Sequence, residues 1–144
     1  MTERAVFVDS WAWVALFNKR DPYHRDVLPA YAGLIAERRP LFMSNAVLYE
    51  SLHLTQRHYG NAVLLEAGQR IFSTIASSRV TVLRTDADIE DEAWQLQLRF
   101  PDQRISYVDC LSYVLMRRHG IPTAFTGDTH FTLLGFNIIP DIPR

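Results

Sequence analysis

The sequence predicts one α/β domain with a mainly parallel sheet. Short continuous apolar runs of strand length alternate along the chain with longer segments whose apolar residues recur at helical spacing. Strands that alternate with helices in this way pair in parallel, because right-handed crossover helices join them across the faces of the sheet. A chain of 144 residues is about one domain in length. We therefore expect residues 1–144 to form a single domain.

The composition is typical of an ordinary soluble globular protein, with 48% hydrophobic and 22% charged residues. The formal net charge of -1 excludes a polycation that binds nucleic acid indiscriminately, so any nucleic-acid site must be a local patch. The single cysteine, Cys110, fits a reducing compartment. No apolar run is long enough for a membrane span or a signal peptide. We expect a cytoplasmic protein.

In the first half of the chain, apolar runs predict strands and capping residues predict the helices between them. The run at 5–8 is continuous and apolar, as in a central strand covered on both faces. Ser10 can cap a helix after it, and Gly60 can end a later one. The remaining predicted elements here are strands at 41–43 and 80–83 and helices at 27–38, 44–59 and 61–77.

The second half begins with a helix that starts at Asp86 or Asp88 and runs to about Phe100. A helix at 106–119 follows, in which Ser106 is a good N-cap and an acid three residues later completes a capping box. The chain then continues with a strand at 123–126, a short helix at 129–134 and a strand at 136–139.

Four acidic residues stand at the ends of these predicted elements. Asp9 ends the first strand, Asp128 follows the fourth, Asp109 opens the helix before that strand, and Glu50 shares a mostly apolar helical face. Because the carboxyl ends of parallel strands point to one edge of a sheet, Asp9 and Asp128 share a rim if their strands are neighbours. Asp109 can lean toward the same rim from its helix start.

Each acid also has a purely structural interpretation. Asp109 can serve only as a helix cap, and Asp9 can serve only to form a turn. Glu50 can reach water from the edge of its helix. The position of Asp109 alone favours the cap, and only the presence of the other three acids favours a shared site.

A shared site of four carboxylates indicates a bound cation. Carboxylates about 5 Å apart repel by roughly 3 kcal/mol per pair at an effective dielectric constant of 20, which a cation relieves. Ligands that are all oxygen select Mg²⁺ or Mn²⁺ over zinc. Such a cation in an acidic pocket suits phosphoryl transfer, so the sequence favours an enzyme of that class.

The sequence resembles PIN-domain ribonucleases, especially the VapC-type toxins of toxin–antitoxin pairs. In chain order, the resemblance rests on the segment 8–10 (VDS), Glu50, the segment 106–112 (SYVDCLS) and the segment 126–131 (TGDTHF). It implies a three-layer α/β/α domain with a mainly parallel central sheet of four to five strands. It also implies a Mg²⁺- or Mn²⁺-dependent endoribonuclease, a homodimer, and a small antitoxin protein as partner.

Carried over to this sequence, the resemblance assigns the acidic quartet that holds the metal and cuts RNA to Asp9, Glu50, Asp109 and Asp128. Glu50 is the least secure, because Asp91 or Glu92 can add to it or replace it. Ser10, Thr126 and Ser106 are expected to form a supporting polar shell.

Candidate RNA contacts lie among the cations and aromatic residues. His130, Arg117 and Arg118 are candidates for phosphate contacts, although cations on a last helical turn are also ordinary. Trp11 or Trp13 can stack on bases, but the apolar pattern favours core packing for both.

Other classes fit the sequence less well. A Ser-His-Asp hydrolase lacks its Gly-x-Ser-x-Gly elbow, and His53 and His58 are wrongly spaced for a zinc site on one helical face. Two rivals stay open: a DNA-directed, flap-type nuclease, and a catalytically degenerate domain that binds RNA or protein without cutting.

Overall fold

The structure is a computed structural model that describes residues 2–143. Five strands form one sheet in the order β3-β2-β1-β4-β5, and every neighbouring pair is parallel. This confirms the predicted α/β fold class, with a sheet that is parallel throughout its described strands. The strands are β1 (Val6–Val8), β2 (Leu41–Ser44), β3 (Thr81–Leu83), β4 (Thr123–Phe125) and β5 (Asn137–Ile139).

Seven α-helices flank the sheet within residues 2–143, after a 3-10 turn at Thr2–Arg4. All residues of β1 and β4 are buried, and consecutive strand residues point to opposite faces, so helices cover both faces of the sheet. The helices are α1 (Ser10–Leu16), α2 (His24–Ala36), α3 (Asn45–Tyr59), α4 (Asn61–Ala76), α5 (Ala87–Leu98), α6 (Tyr107–His119) and α7 (His130–Leu133).

The helix starts follow the predicted capping residues except in α1 and α2. Ser10, the predicted cap of α1, is the first residue of that helix, and its N-cap is Asp9. Asp86 accepts a hydrogen bond from the backbone N–H of Ile89 at 2.9 Å and is thus the cap of α5. Helix α2 begins at His24, three residues before the predicted start, because Asp21 accepts a hydrogen bond from the N–H of Tyr23 and starts the turn there. No helix of the described residues is long and apolar enough to cross a membrane.

The core is aromatic where α1 and α6 meet the sheet. Trp13 is fully buried, and its indole N–H donates to the carbonyl of Val8 at 3.1 Å. Tyr113 packs edge-on against Phe131, with 4.8 Å between the ring centroids. Trp13 is therefore a core residue, as the apolar pattern favoured, and is not accessible to a nucleic-acid base.

Helix α6 passes through the core and is held at both ends by local signals. Its residues from Cys110 to Met116 are all buried. The predicted capping box at Ser106 is present at its start, and Gly120 ends it in the left-handed conformation, with φ 64°. This helix carries Asp109 on its first turn and leads directly into β4, so its ends determine where Asp109 stands.

Replacing Gly120 with alanine should lower the free energy of unfolding by about 1 kcal/mol, because the left-handed backbone is strained for a residue with a Cβ. Gly33 inside α2 is the matched control, since a Cβ there meets no atom within 4 Å. Alanine at Gly33 should leave the stability unchanged or raise it. Urea denaturation of both variants measures the difference, and equal effects would contradict this view of the end of α6.

Candidate active site

The candidate site lies at the carboxyl edge of the sheet, where β1 and β4 run side by side. In the sheet, β1 lies between β2 and β4. The chain crosses from β1 to β2 on one side of β1, and the later strand β4 lies on its other side. This reversal of strand order opens a crevice at the strand ends, which is the usual ligand position in open parallel sheets. Asp9 directly follows β1, and Thr126 directly follows β4. The neighbouring strands therefore meet the condition under which Asp9 and Asp128 share a rim.

The hydroxyl group of Thr126 links the residues that follow β1 and β4. The hydroxyl donates to Asp9 Oδ2 at 2.7 Å and accepts from the backbone N–H of Asp128 at 3.1 Å. Asp9 is only 4% exposed, and Thr126 is fully buried. Thr126 thus has the supporting role expected from the sequence, since it holds one acid by its side chain and the other by its backbone.

Glu50 reaches the same crevice from α3, which packs against α1. Its Oε1 accepts a short hydrogen bond from the hydroxyl of Ser10 at the start of α1. The side chain therefore has a protein partner, Ser10, which is the residue next to Asp9. Ser10 and Glu50 are 40 residues apart in sequence, so only the fold brings them together.

Asp109 is both a cap and a member of the cluster. Its backbone N–H donates to the hydroxyl of Ser106, and its Oδ2 accepts from the N–H of Ser106, both at 3.1 Å. These reciprocal hydrogen bonds hold the start of α6 and the direction of the carboxylate. The two interpretations of Asp109 that the sequence left open are thus compatible.

Asp128 holds the side chain of His130. Its Oδ1 lies 2.9 Å from the backbone N of His130 and 2.7 Å from His130 Nδ1. An ionised carboxylate only accepts hydrogen bonds, so His130 Nδ1 carries the proton in this contact. The imidazole is thereby oriented beside the cluster.

The electrostatics show that the acids act on one another. Burial, followed by the negative charges of Asp109 and Glu50, raises the pKa of Asp9 from 3.8 to about 7, against the opposing hydrogen bond from Thr126. Burial also raises the pKa of Asp109 to about 6; the charges of Asp128 and Glu50 add to this, while the hydrogen bonds from Ser106 oppose it. The edge therefore holds an excess of negative charge that a proton or a cation can offset.

A family model described as the PIN domain matches residues 6–137. The chain belongs to the PIN-domain family. Its relatives include the 23S rRNA-specific endonuclease VapC20 of Mycobacterium tuberculosis, which is 34% identical over 132 residues, or 91% of this chain and 95% of VapC20.

Solved structures agree with this family assignment. The crystal structure of VapC20, described as a sarcin-ricin loop cleaving toxin, has a TM-score of 0.79 at 32% identity, covering 91% of this chain and 95% of its own. Two more distant PIN folds are VapBC2 of Rickettsia felis bound to a promoter DNA fragment, at 15% identity and TM-score 0.66, and FitAcB of Neisseria gonorrhoeae, at 16% and 0.67. They cover 94% of this chain and 97% and 96% of their own chains, respectively.

The PIN-domain cluster has the chemistry of a hard-cation site without a closed cage. Asp9 Oδ1 is buried and has no hydrogen-bond partner. Within residues 2–143, no three Asp, Glu, His or Cys side chains already surround a point where a metal ion would fit. Mg²⁺ commonly binds through one or two carboxylates and retains several water molecules. The donors therefore fit a partly hydrated Mg²⁺ or Mn²⁺ rather than a fully enclosed ion.

Tyr113 is a site neighbour that the sequence reasoning missed. Its hydroxyl is buried without a hydrogen-bond partner. Burial and then the charges of Asp109, Asp128 and Asp9 raise its pKa well above the usual range. The position of Tyr113 one helical turn after Asp109 was the sequence feature that could have identified it. Its aromatic ring and apolar neighbours indicated a core residue instead, and Tyr113 is both a core residue and a neighbour of the site.

The structure does not bring Arg117 and Arg118 to the acidic cluster. They lie on the last turn of α6, roughly 13 Å along the helix axis from Asp109, because nine residues separate Asp109 from Arg118 at 1.5 Å each. Arg118 Nε instead pairs with Glu92 at 3.1 Å. These arginines therefore do not contact a phosphate that is bound at the acids.

Asp91 and Glu92 do not take the place of Glu50 in this PIN domain. Glu92 forms the ion pair with Arg118, and the charge of Asp91 acts on Tyr107. The charge of Glu50, in contrast, raises the pKa of both Asp9 and Asp109. Of the three candidates, Glu50 is the one that lies with the other acids.

Proposed function

We propose that this PIN domain is a Mg²⁺- or Mn²⁺-dependent endoribonuclease that hydrolyses RNA phosphodiester bonds, and that it is the toxin of a type II toxin–antitoxin pair. The observation that carries the proposal is the meeting of Asp9, Glu50, Asp109 and Asp128 at one edge of the sheet, where burial and mutual repulsion raise the pKa values of two of them. The 34% identity with an endonuclease of 23S rRNA supports it. Ribosomal RNA is therefore the first substrate to test.

We assign each acid a role in the reaction from its position. Asp9, Asp109 and Asp128 would hold the cation directly or through water, since they come from the ends of β1, α6 and β4. The bound cation would lower the pKa of the attacking water and stabilise the charge on the leaving oxygen. Glu50, whose carboxylate accepts a hydrogen bond from Ser10, would orient that water and accept its proton.

His130 supplies a positioned contact on the substrate side. Its Nδ1 is engaged by Asp128, which leaves Nε2 as the ring atom directed away from that carboxylate. An N–H at Nε2 would donate a hydrogen bond to a phosphate oxygen of the RNA. Of the three phosphate contacts expected from the sequence, His130 is the one that the fold supports.

We also propose a small antitoxin protein and a second copy of this chain as partners in the cytoplasm. The likeness to a toxin supports the first partner. Two large apolar side chains on α5, Trp94 and Leu98, are more than half exposed and support a protein interface there. Analytical ultracentrifugation of the purified chain, with and without the protein of the adjacent reading frame, tests both partners.

Cleavage assays test the enzymatic proposal directly. We expect the purified protein to cut ribosomal RNA in Mn²⁺ and to leave it intact in EDTA, because the acids need a cation to bind the phosphodiester productively. Single-stranded DNA of matched sequence should stay intact. Cleavage of the DNA instead would indicate a DNA-directed nuclease, and no metal-dependent cleavage of any sample would indicate a domain that only binds.

A further inference from the structure

Trp11 and Tyr23 form a ring pair beside the acidic cluster. Their ring centroids lie 5.1 Å apart at an interplanar angle of 48°. Trp11 is half-buried, and Tyr23 is 41% exposed. In contrast to Trp13, whose indole is enclosed in the core, this pair is accessible from solvent.

Gly127 holds the indole of Trp11 close to the candidate active site. A Cβ added at Gly127 would stand 2.4 Å from Trp11 Cε2 and 2.6 Å from Trp11 Nε1, far inside van der Waals contact. The ring therefore lies directly on the backbone of the residue before Asp128. Any larger residue at position 127 would displace it.

The ring pair lines two cavities, one of which is also lined by an acid of the cluster. One, of about 420 Å³, is lined by both rings and by Asp128. The other, of about 370 Å³, is lined by both rings and by Ser10, the partner of Glu50. Either volume is in the range of small-ligand pockets. An occupant of the first cavity would contact an aromatic ring and Asp128 at the same time.

We infer that Trp11 and Tyr23 form a stacking site for one unpaired base of the RNA, next to the phosphodiester held at the acids. This inference rests on the proposed function. Because Asp128 lines the same cavity as the two rings, the occupant would be part of the nucleotide chain that is cut. Aromatic side chains bind splayed-out bases by stacking, and a base inside a duplex does not offer its face. The site therefore selects single-stranded or looped RNA.

Abasic substitution tests this site without requiring cleavage. Fluorescence anisotropy would measure the binding of short labelled RNAs in which each base in turn is removed. The measurements are made in EDTA and also in Mn²⁺ with Glu50→Gln, which would lack the group proposed to accept the proton of the attacking water. The wild type should lose affinity by about tenfold at one abasic position. Trp11→Leu should bind the intact RNA about tenfold more weakly and should show no further loss at that position, whereas Trp11→Phe, which keeps a ring, should retain most of the loss.

Two further variants separate the stacking site from damage to the fold. Gly127→Ala keeps the indole but displaces it, and should behave like Trp11→Leu. Phe72→Leu removes a ring that is 52% exposed on α4, and should bind like the wild type. The inference is overturned if no abasic position weakens binding, if RNA binds under neither condition, or if Trp11→Leu shows the full abasic loss.

Cleavage of the same RNAs in Mn²⁺ keeps this inference distinct from the proposed function. An abasic effect that depends on Trp11, without any cleavage, would support the base site and count against the nuclease. Cleavage at the same rate whichever base is removed would support the nuclease and overturn the base site. In that case the two cavities would suit a side chain of a protein partner better than a base.

Discussion

Asn in place of Asp9 should lower the rate of RNA cleavage by about 1000-fold or more and should raise the stability of the metal-free protein at pH 8. The loss of rate follows from removing a buried carboxylate at the centre of the cluster, where electrostatic contributions to catalysis are largest. Single-turnover cleavage in Mn²⁺ measures it. A residue that serves only to form a turn would affect neither rate nor stability in this way.

The gain in stability follows from the raised pKa of Asp9. The folded protein holds the Asp9 proton with a pKa of about 7, against 3.8 in the unfolded chain. The stability that this group contributes is therefore fully present below about pH 4 and is lost as the pH rises through 7. Asparagine does not ionise and avoids this loss, so the variant should be more stable by about 2 to 4 kcal/mol at pH 8.

Urea denaturation in EDTA at pH 5 and pH 8 would check this prediction, and the gain should be much smaller at pH 5. Asp102→Asn is the matched control, because Asp102 is exposed and should change neither stability nor cleavage. Destabilisation by Asp9→Asn at pH 8 would mean that the hydrogen bond to Thr126 outweighs the burial of charge. Asp9 would then be a structural residue.

Mn²⁺ should raise the melting temperature of the wild-type protein, and more strongly at pH 8 than at pH 5.5. The cation competes with the protons that Asp9 and Asp109 hold with pKa values of about 7 and 6. At 100 times its Kd, Mn²⁺ would stabilise the fold by about 2.7 kcal/mol, which corresponds to a shift of several degrees. Differential scanning fluorimetry with an EDTA reversal measures it.

Asp109→Asn separates the two roles of Asp109 in the same assay. The amide oxygen can still accept the hydrogen bond from the N–H of Ser106, so the cap of α6 is retained while the negative charge is lost. The Mn²⁺-induced shift should fall to less than half. An undiminished shift would show that Asp109 is a helix cap and not a ligand.

Asp9, Asp109 and Asp128 could be chosen from the sequence because they stand where an apolar run ends or a capped helix begins. Glu50 could be chosen because it is a charged residue on a mostly apolar helical face. Their meeting could not be predicted with the same security, because it depends on β1 and β4 being neighbours, and strand order arises from long-range packing. Glu50 illustrates the difference. Its helix was predicted, but its contact with Ser10, 40 residues away, follows only from the packing of α3 on α1.

Three residues, Arg117, Arg118 and Tyr113, could be placed relative to the acids only once the fold was known. Arg117 and Arg118 were considered as phosphate contacts by charge alone, although a helix that begins at the carboxyl edge of a sheet must end near the opposite edge. Tyr113 was overlooked because a ring among apolar residues is usually only a core residue, and the sequence did not indicate that its hydroxyl would face three carboxylates. The position of each of these residues along α6, rather than its type, decides whether it lies near the acids.

The hydrogen bonds of the four acids also limit how a metal ion could be coordinated. One oxygen of each carboxylate is already taken by a protein donor: Asp9 by Thr126, Glu50 by Ser10, Asp109 by Ser106 and Asp128 by His130. The second oxygen of each carboxylate is not engaged by these donors and would be the first to bind a cation. Ca²⁺ favours bidentate carboxylates and a larger number of ligands, whereas Mg²⁺ accepts single oxygens in an octahedron completed by water. Hydrogen bonds of this kind would favour binding through single oxygens and would disfavour the larger ion.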